Sequence, residues 1–290
     1  MVTRRHFLAM CGGGALVGGG VLASAGCSRT REPTLARIKR DGVARVGISD
    51  EQPFSYLDAS GQITGESPAV ASAVLTGMGV PRLEAVQRPF SELIPSLLAG
   101  TLDIVTAGMG ITPGRCAQVA FSNPDFLAPT GFLVPRGNPR QLYSFEAVAR
   151  AGLRIAVLDG TVEQGFARTA GVPEDRILAC RSQGSLFQAV FDGSAPVAAL
   201  TDISLRSVLR LHPDSPLQVN GGIPPPGRFT QPAAGFAFRP ADVDLLQAFN
   251  TGLAALHGSG QWLKIASPFG VTSANLPPSD VTTASLCHPV

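Results

Sequence analysis

Arg115 is the side chain on which chemistry could be built. It closes the run Ala107-Gly108-Met109-Gly110-Ile111-Thr112-Pro113-Gly114-Arg115, which follows Leu102-Asp103-Ile104-Val105-Thr106. The earlier five residues have the pattern of a buried strand. Gly108 and Gly110 then sit just past its end, where glycine lets a ligand come close to the main chain. Thr112 reads as a helix N-cap and Pro113 as the first helical residue, so Arg115 falls in the first turn. Bare backbone N–H groups, a helix N-terminus and a guanidinium would face one point. Such a point receives a carboxylate, because the helix end favours an anion and arginine grips it with two parallel hydrogen bonds. Taken alone, the same residues also fit an ordinary strand–turn–helix with a surface arginine.

The elements that must position this turn follow from periodicity. Residues 35–41 form a short helix and Ala44–Ile48 a strand, followed by the loop Asp50-Glu51-Gln52-Pro53-Phe54. Helical spacing returns over Glu66–Met78, a strand over Leu83–Val86, and a helix capped by Ser91 that ends at Gly100. With the strand before Gly108 this is β-α-β-α-β, so a parallel sheet with right-handed crossovers is expected. Ligands of such sheets bind outside the carboxyl ends of the strands. Glu51, Phe54, Phe90, Gly108 and Gly110 all lie at or beside those ends.

A second alternating unit runs from about Leu142 to Val219. Its strands are 153–158, 176–179 and 197–201, and its helices 162–169 and 182–191. Thr161 opens the first of these helices, and Asp202 follows the third strand, where it also fits as the cap of the next helix. Residues 220–232 read as a Gly/Pro-rich loop. Two extended runs, 131–135 and 234–239, read as crossings paired with each other. The expected fold class is therefore α/β: a two-lobe clamshell joined by two crossing strands, with the ligand cleft between. Lobe one is 34–133 plus 236–278, lobe two is 134–235, and the tail 279–290 is expected to be loose.

Composition narrows the partners. Hydrophobic residues make up 44% and charged residues 15%, which suits a chain with a sizeable core rather than a disordered one. The net charge is +2, and both Arg4 and Arg5 lie in the leader. No long basic run follows, so no nucleic-acid partner is expected. Cysteines stand at 11, 27, 116, 180 and 287 without a Cys-x-x-Cys or Cys/His cluster, so neither a metal nor a cofactor is expected. Cys116, Cys180 and Cys287 allow at most one bridge. Cys180–Cys287 is one reading, and three buried free thiols is the preferred one.

Residues 1–27 read as a targeting segment. Thr3-Arg4-Arg5-His6-Phe7-Leu8 resembles a twin-arginine export signal. Ser24-Ala25-Gly26-Cys27 resembles a lipoprotein processing site that would make Cys27 the lipidated first residue. Ala23-Ser24-Ala25 also fits an ordinary signal-peptidase site. The polar tether over residues 28–33 favours the anchored form.

Gly47–Phe54, Leu93–Leu97, Asp103–Arg115 and Val119–Ser122 together resemble the polar amino-acid family of extracellular solute-binding proteins, the type II periplasmic binding proteins. Within it, Arg115–Ser122, Phe236–Arg239 and Ser267–Thr272 are similar to the ectoine/hydroxyectoine binders of ABC transporters. The resemblance implies a non-enzymatic, monomeric importer component that takes a small zwitterionic solute and docks on a membrane ABC permease. Position by position, it implies that Arg115 binds the ligand carboxylate and that Glu51 accepts from a protonated, amidine-like ring. Phe54 and Phe90 would be aromatic walls, and Thr161 would close onto the carboxylate. Aromatic faces hold such cations with about 0.5–2 kcal/mol each. Two positions depart from the subfamily. Gly110 stands where an aromatic wall is usual, and Asp202 stands where general amino-acid binders hold an α-ammonium group, which tilts toward a polar amino acid. A cyclohexadienyl-dehydratase-like enzyme on the same fold is a further reading, and Glu51 and Asp202 are its candidate acids or bases.

Overall fold

The structure is a computed structural model that describes residues 32–226 and 232–288. The expected export segment, Cys27 included, lies outside the described residues.

The chain enters through α1 (Thr34–Asp41) and β1 (Val43–Ile48). A small hairpin, β2 (Tyr56–Leu57) and β3 (Ile63–Thr64), leads into α2 (Glu66–Gly77). Next come β4 (Arg82–Gln87), α3 (Leu93–Leu98), β5 (Ile104–Gly110) and α4 (Pro113–Cys116), then the short strands β6 (Ala120–Phe121) and β7 (Phe126–Leu127). β4, β1 and β5 are parallel neighbours in that order, as the β-α-β-α-β pattern requires. Asp103, just before β5, is fully buried and ties three arginines together. Arg37 lies at 2.6 Å, Arg45 at 2.8 Å and Arg239 at 3.5 Å, which pins α1, β1 and the returning chain to one point.

Gly108 and Gly110 do not follow this strand; they belong to it. The reason is non-local. β13 (Ala233–Phe238), far along the chain, runs antiparallel to β5 and pairs Ala234 with Gly110 and Gly235 with Met109. That partner prolongs the strand past where its own pattern ends, with a register shift nearby and Gly108 at φ +58°. β13 is buried along its whole length, as a strand covered on both faces must be. Phe236 and Phe238 pack there with Phe249 of α9 (Val243–Gly258) and beside Trp262 of α10 (Gln261–Ala266).

The second sheet has the order β10 (Ile177–Cys180), β9 (Ile155–Leu158), β11 (Val197–Thr201), β8 (Thr130–Pro135), β12 (Leu217–Ile223). Its helices are α5 (Phe145–Arg150), α6 (Val162–Thr169), α7 (Gln183–Phe191) and α8 (Asp202–Leu211). Ser182 caps α7 with a reciprocal pair of bonds to Ser185. β12 continues into the stretch expected to be a loop. Its glycines carry no strand signal of their own, but β8 supplies hydrogen-bond partners, again with an irregularity between Asn220 and Ile223.

Four expectations change. The two extended runs do not pair with each other: β8 pairs with β11 and β12, and β13 with the first sheet. The crossings are shorter segments around Ala128 and Pro232, where Ala128 N donates to Pro232 O at 2.7 Å. Ser91 does not cap a helix; it lies within a 3-10 turn, Phe90–Glu92, that Pro89 opens and that runs straight into α3. The tail after Ser279 is not loose. It forms α11 (Thr283–Cys287), with Leu286 buried and Thr283 Oγ1 donating to Ser122 O at 2.6 Å. Cysteine pairing is corrected with it: Cys116 bonds Cys287 across 171 residues, and Cys180 alone is a buried free thiol. α11 lies on α4, so the tail delivers Cys287 to the helix that carries Arg115.

Candidate functional site

Arg115 is held as its local sequence predicts. Thr112 caps α4 by accepting from Arg115 N at 3.4 Å, and Pro113 is the first helical residue. The guanidinium then folds back. Nη1 donates to Gly110 O at 2.6 Å and Nη2 to Gly160 O at 2.7 Å, and the group sits 5.3 Å above the Phe90 ring. Gly160 belongs to the second lobe, so one side chain spans the boundary. Burial pulls its pKa down to about 10, and nearby Glu163 acts the other way. It remains cationic at neutral pH.

Glu51 lies in a tight turn in which its N–H and C=O both bond to Ser55. This turn presents Glu51 to the second lobe, where Ser204 Oγ donates to Oε1 at 2.6 Å. Burial pushes the carboxyl up to about 7; the Ser204 bond opposes that and Glu163 adds to it. Glu163 is the second buried acid, in the first turn of α6. Its pKa is raised by burial, against the bond from Thr130 Oγ1 at 3.2 Å and the charge of Arg115. Thr161 stands at the N-cap position of α6, but its hydroxyl donates to Leu158 O at 2.9 Å rather than capping the helix.

These groups surround one small cavity. Six of the eight expected residues line it: Glu51, Phe90, Gly108, Gly110, Arg115 and Thr161. Phe54 and Asp202 do not. The turn that exposes Glu51 sends Phe54 underneath, where it is buried, stacks on Phe126 at 4.9 Å and lies against Gly108. Gly108 is thus the surface and Phe54 the layer behind it. Asp202 starts α8 and pairs with Arg206 one turn on, away from the lining. Thr201, one residue earlier at the end of β11, reaches the cavity instead. At Gly110, a Cβ would lie 3.0 Å from Val162 Cγ1, so valine occupies the space beside the wall that lacks an aromatic.

Glu163, Thr201, Gln183 and Ser204 were not legible as site residues. Gln183 Nε2 donates to Gln52 O at 2.6 Å, and Ser204 Oγ reaches both Glu51 and Gln52, so these two clasp the first lobe's turn from the second. A carboxylate in the opening turn of a helix at a strand's carboxyl end was the available signal for Glu163. Chemically, the cavity offers one fixed cation, two acids of adjustable charge and one aromatic face. Among the described residues no cluster of His, Cys, Asp and Glu could hold a metal ion.

Known proteins share this fold. The profile of the bacterial extracellular solute-binding proteins, family 3, matches residues 44–272. A relative in Sinorhizobium fredii, named "Probable amino-acid ABC transporter periplasmic-binding protein y4tE", is 29% identical over 258 residues, covering 88% of this chain and 86% of the relative. Cyclohexadienyl dehydratase of Pseudomonas aeruginosa is 28% identical over 195 residues, covering 67% of this chain and 72% of that enzyme. Among solved structures, EhuB in complex with hydroxyectoine superposes with a TM-score of 0.82 at 32% identity, covering 89% of this chain and 98% of that one. With two α/β lobes of this topology and a family match over most of its length, the chain belongs to the family 3 bacterial extracellular solute-binding proteins and has their type II periplasmic-binding fold.

Proposed function

We propose that this protein is the substrate-binding component of an ABC importer and captures a small zwitterion, ectoine or hydroxyectoine. The observation that carries the reading is the convergence of Arg115, Glu51 and Glu163 on one small cavity between the lobes. A guanidinium answers a carboxylate, and two acids answer a delocalised cation. Glu51, Phe90, Gly108, Gly110, Arg115 and Thr161 form the ligand-binding set, with Glu163 and Thr201 added. The likeness to the hydroxyectoine complex supports this choice of solute. A polar amino acid is the neighbouring choice, supported by the amino-acid-binding relatives. The protein is exported and held at the membrane through lipidated Cys27, acts as a monomer, and delivers its solute to a permease.

Calorimetric titration with ectoine, hydroxyectoine, proline, betaine and polar amino acids tests the reading. Binding of ectoine or hydroxyectoine at micromolar affinity, about −8 kcal/mol, is expected. Heat from an amino acid alone moves the assignment to the amino-acid binders.

A second reading has its own observation. Glu51, with its pKa pushed up to about 7, could move a proton at neutral pH, and a dehydratase is among the relatives. Turnover of a prephenate-like acid, lost in Glu51→Gln, would favour the enzyme.

A further inference from the structure

Behind the cavity wall, the first lobe buries two acids that the site does not use. Glu66, the first residue of α2, is fully buried, and Asp125, just before β7, is 1% exposed. Gly108 stands between their chain neighbours, bonded through its N–H to Ser67 and packed against Phe126, and the Asp125 charge acts on Glu66. Trp262 Nε1 donates to Asp125 Oδ1 at 2.7 Å, and Ser67 Oγ donates to Glu66 Oε2 at 2.9 Å. The other two oxygens, Glu66 Oε1 and Asp125 Oδ2, are buried and receive no hydrogen bond from any residue. If both acids were ionised, two like charges would sit in one core with two acceptors unsatisfied, an arrangement that burial disfavours.

Charged groups packed around the pair are few. From α9, His257 Nε2 lies 3.7 Å from Asp125 Oδ1, beyond hydrogen-bonding reach, and its ring meets Trp262 edge-on. Among the described residues, no lysine or arginine forms an ion pair with either acid. On the other side, the chain of bonds reaches the cavity: Ser67 Oγ accepts from Gly108 N at 3.1 Å. Gly108 is the lining residue with φ +58°. An unbroken line therefore runs from the wall, through Ser67, to the acid pair.

We propose that Glu66 carries a proton at neutral pH, shared by hydrogen bonding with the Asp125 carboxylate, and that Glu66 and Ser67 are positioning residues that hold the Gly108 wall of the cavity. The shared proton satisfies both orphaned oxygens and removes one charge. Glu66 then remains a fixed acceptor for Ser67, whose oxygen anchors the Gly108 N–H and so the left-handed turn that bares the wall. Burial and the Asp125 charge hold the Glu66 pKa well above the usual carboxylate range, in keeping with this geometry. The positioning role rests on the cavity being the binding site; the shared proton does not.

Three measurements on the whole protein test it. Infrared difference spectra of wild type against Glu66→Gln at neutral pH should show a protonated carboxylic acid band lost in the variant; no such difference overturns the shared proton. Wild-type stability should fall as pH rises above the free carboxylate range, and should fall less in Glu66→Gln, which keeps a donor toward Asp125; parallel profiles overturn it as well. Ser67→Ala should speed hydrogen exchange at Gly108 N–H about tenfold and raise the Kd for hydroxyectoine roughly three- to tenfold. Unchanged exchange at Gly108 overturns the positioning role. If wild type fails to bind hydroxyectoine, the solute assignment falls, while the infrared and exchange results still decide this proposal.

Discussion

At the scale of single residues, Arg115 and Glu51 carry opposite predictions. Arg115→Ala removes the only guanidinium lining the cavity among the described residues and should weaken a carboxylate solute by about 2–3 kcal/mol, roughly 30–150-fold in Kd. Arg115→Lys keeps the charge but loses the fork that bonds Gly110 O and Gly160 O together, so it should recover only part of this. Titration calorimetry reads both, and an unchanged Kd in Arg115→Ala would remove the residue from the site. Glu51 is raised from 4.5 to about 7 on folding. A raised carboxyl favours the folded state at acid pH, so stability should fall as pH climbs from about 4.5 to 7 and level off above that. Glu51→Gln should flatten this window and gain up to about 3 kcal/mol at pH 8 relative to wild type, seen by urea unfolding at pH 5 and 8. Arg115 was legible in the sequence because its capping threonine, its proline and its glycines are neighbours. Phe54 and Asp202 were not, because a one-residue difference decides which way a side chain at a strand end points. The same turn that lifts Glu51 into the cavity drives Phe54 beneath Gly108, and Thr201 takes the place expected of Asp202.

At the scale of elements, what the sequence hid is what distant segments build. α6 and α7 of the second lobe were readable because their apolar periods are local, and α6 starts and stops where its pattern does, whereas α5 was not read. β12, the full length of β5 and α11 owe their form to partners far along the chain: β8, β13 and Cys116. α11 gives the clearest test. It has five residues, too few to be stable alone. Its hold on the body consists of Leu286, the Thr283–Ser122 bond and the disulfide. Closing a loop of 171 residues should restrict the unfolded chain strongly, so Cys287→Ser should cost about 2–5 kcal/mol. The melting temperature should drop by several degrees, and protease should cut after Ser279 in the variant but not in wild type. A resistant tail in Cys287→Ser would mean that packing alone holds it. Because Cys116 neighbours Arg115, the same variant should also weaken solute binding, by less than Arg115→Ala does.

At the scale of the whole molecule, the cavity exists because two lobes meet, and few bonds join them across it. Arg115 reaches Gly160, Ser204 reaches Glu51 and Gln52, and Gln183 clasps the Gln52 backbone on both sides. At the crossings, among the described residues, Ala128 bonds Pro232 and Asp202 N bonds Pro129 O. Hinges of this kind let bodies rotate without disturbing either core. Both partners of the Gln183 bonds lie outside the lining of the cavity, whereas Arg115–Gly160 and Ser204–Glu51 each involve a lining residue, so the Gln183 bonds contribute to closure without touching a solute. Gln183→Ala also removes its bond to Ser204 O inside the second lobe, at 2.9 Å, but keeps the apolar core there and should shift the equilibrium toward an open form. A solute that binds only the closed form then sees fewer competent molecules, and its apparent Kd rises by that fraction. Loss of two such bonds, at about 1 kcal/mol each, predicts a rise of roughly tenfold or more. Small-angle scattering should give a larger radius of gyration for solute-free Gln183→Ala than for solute-free wild type, with saturating solute bringing both to the same value. A weaker Kd with identical scattering would place Gln183 in direct solute contact instead. An unchanged Kd would mean that Arg115 and Ser204 hold the lobes together without it.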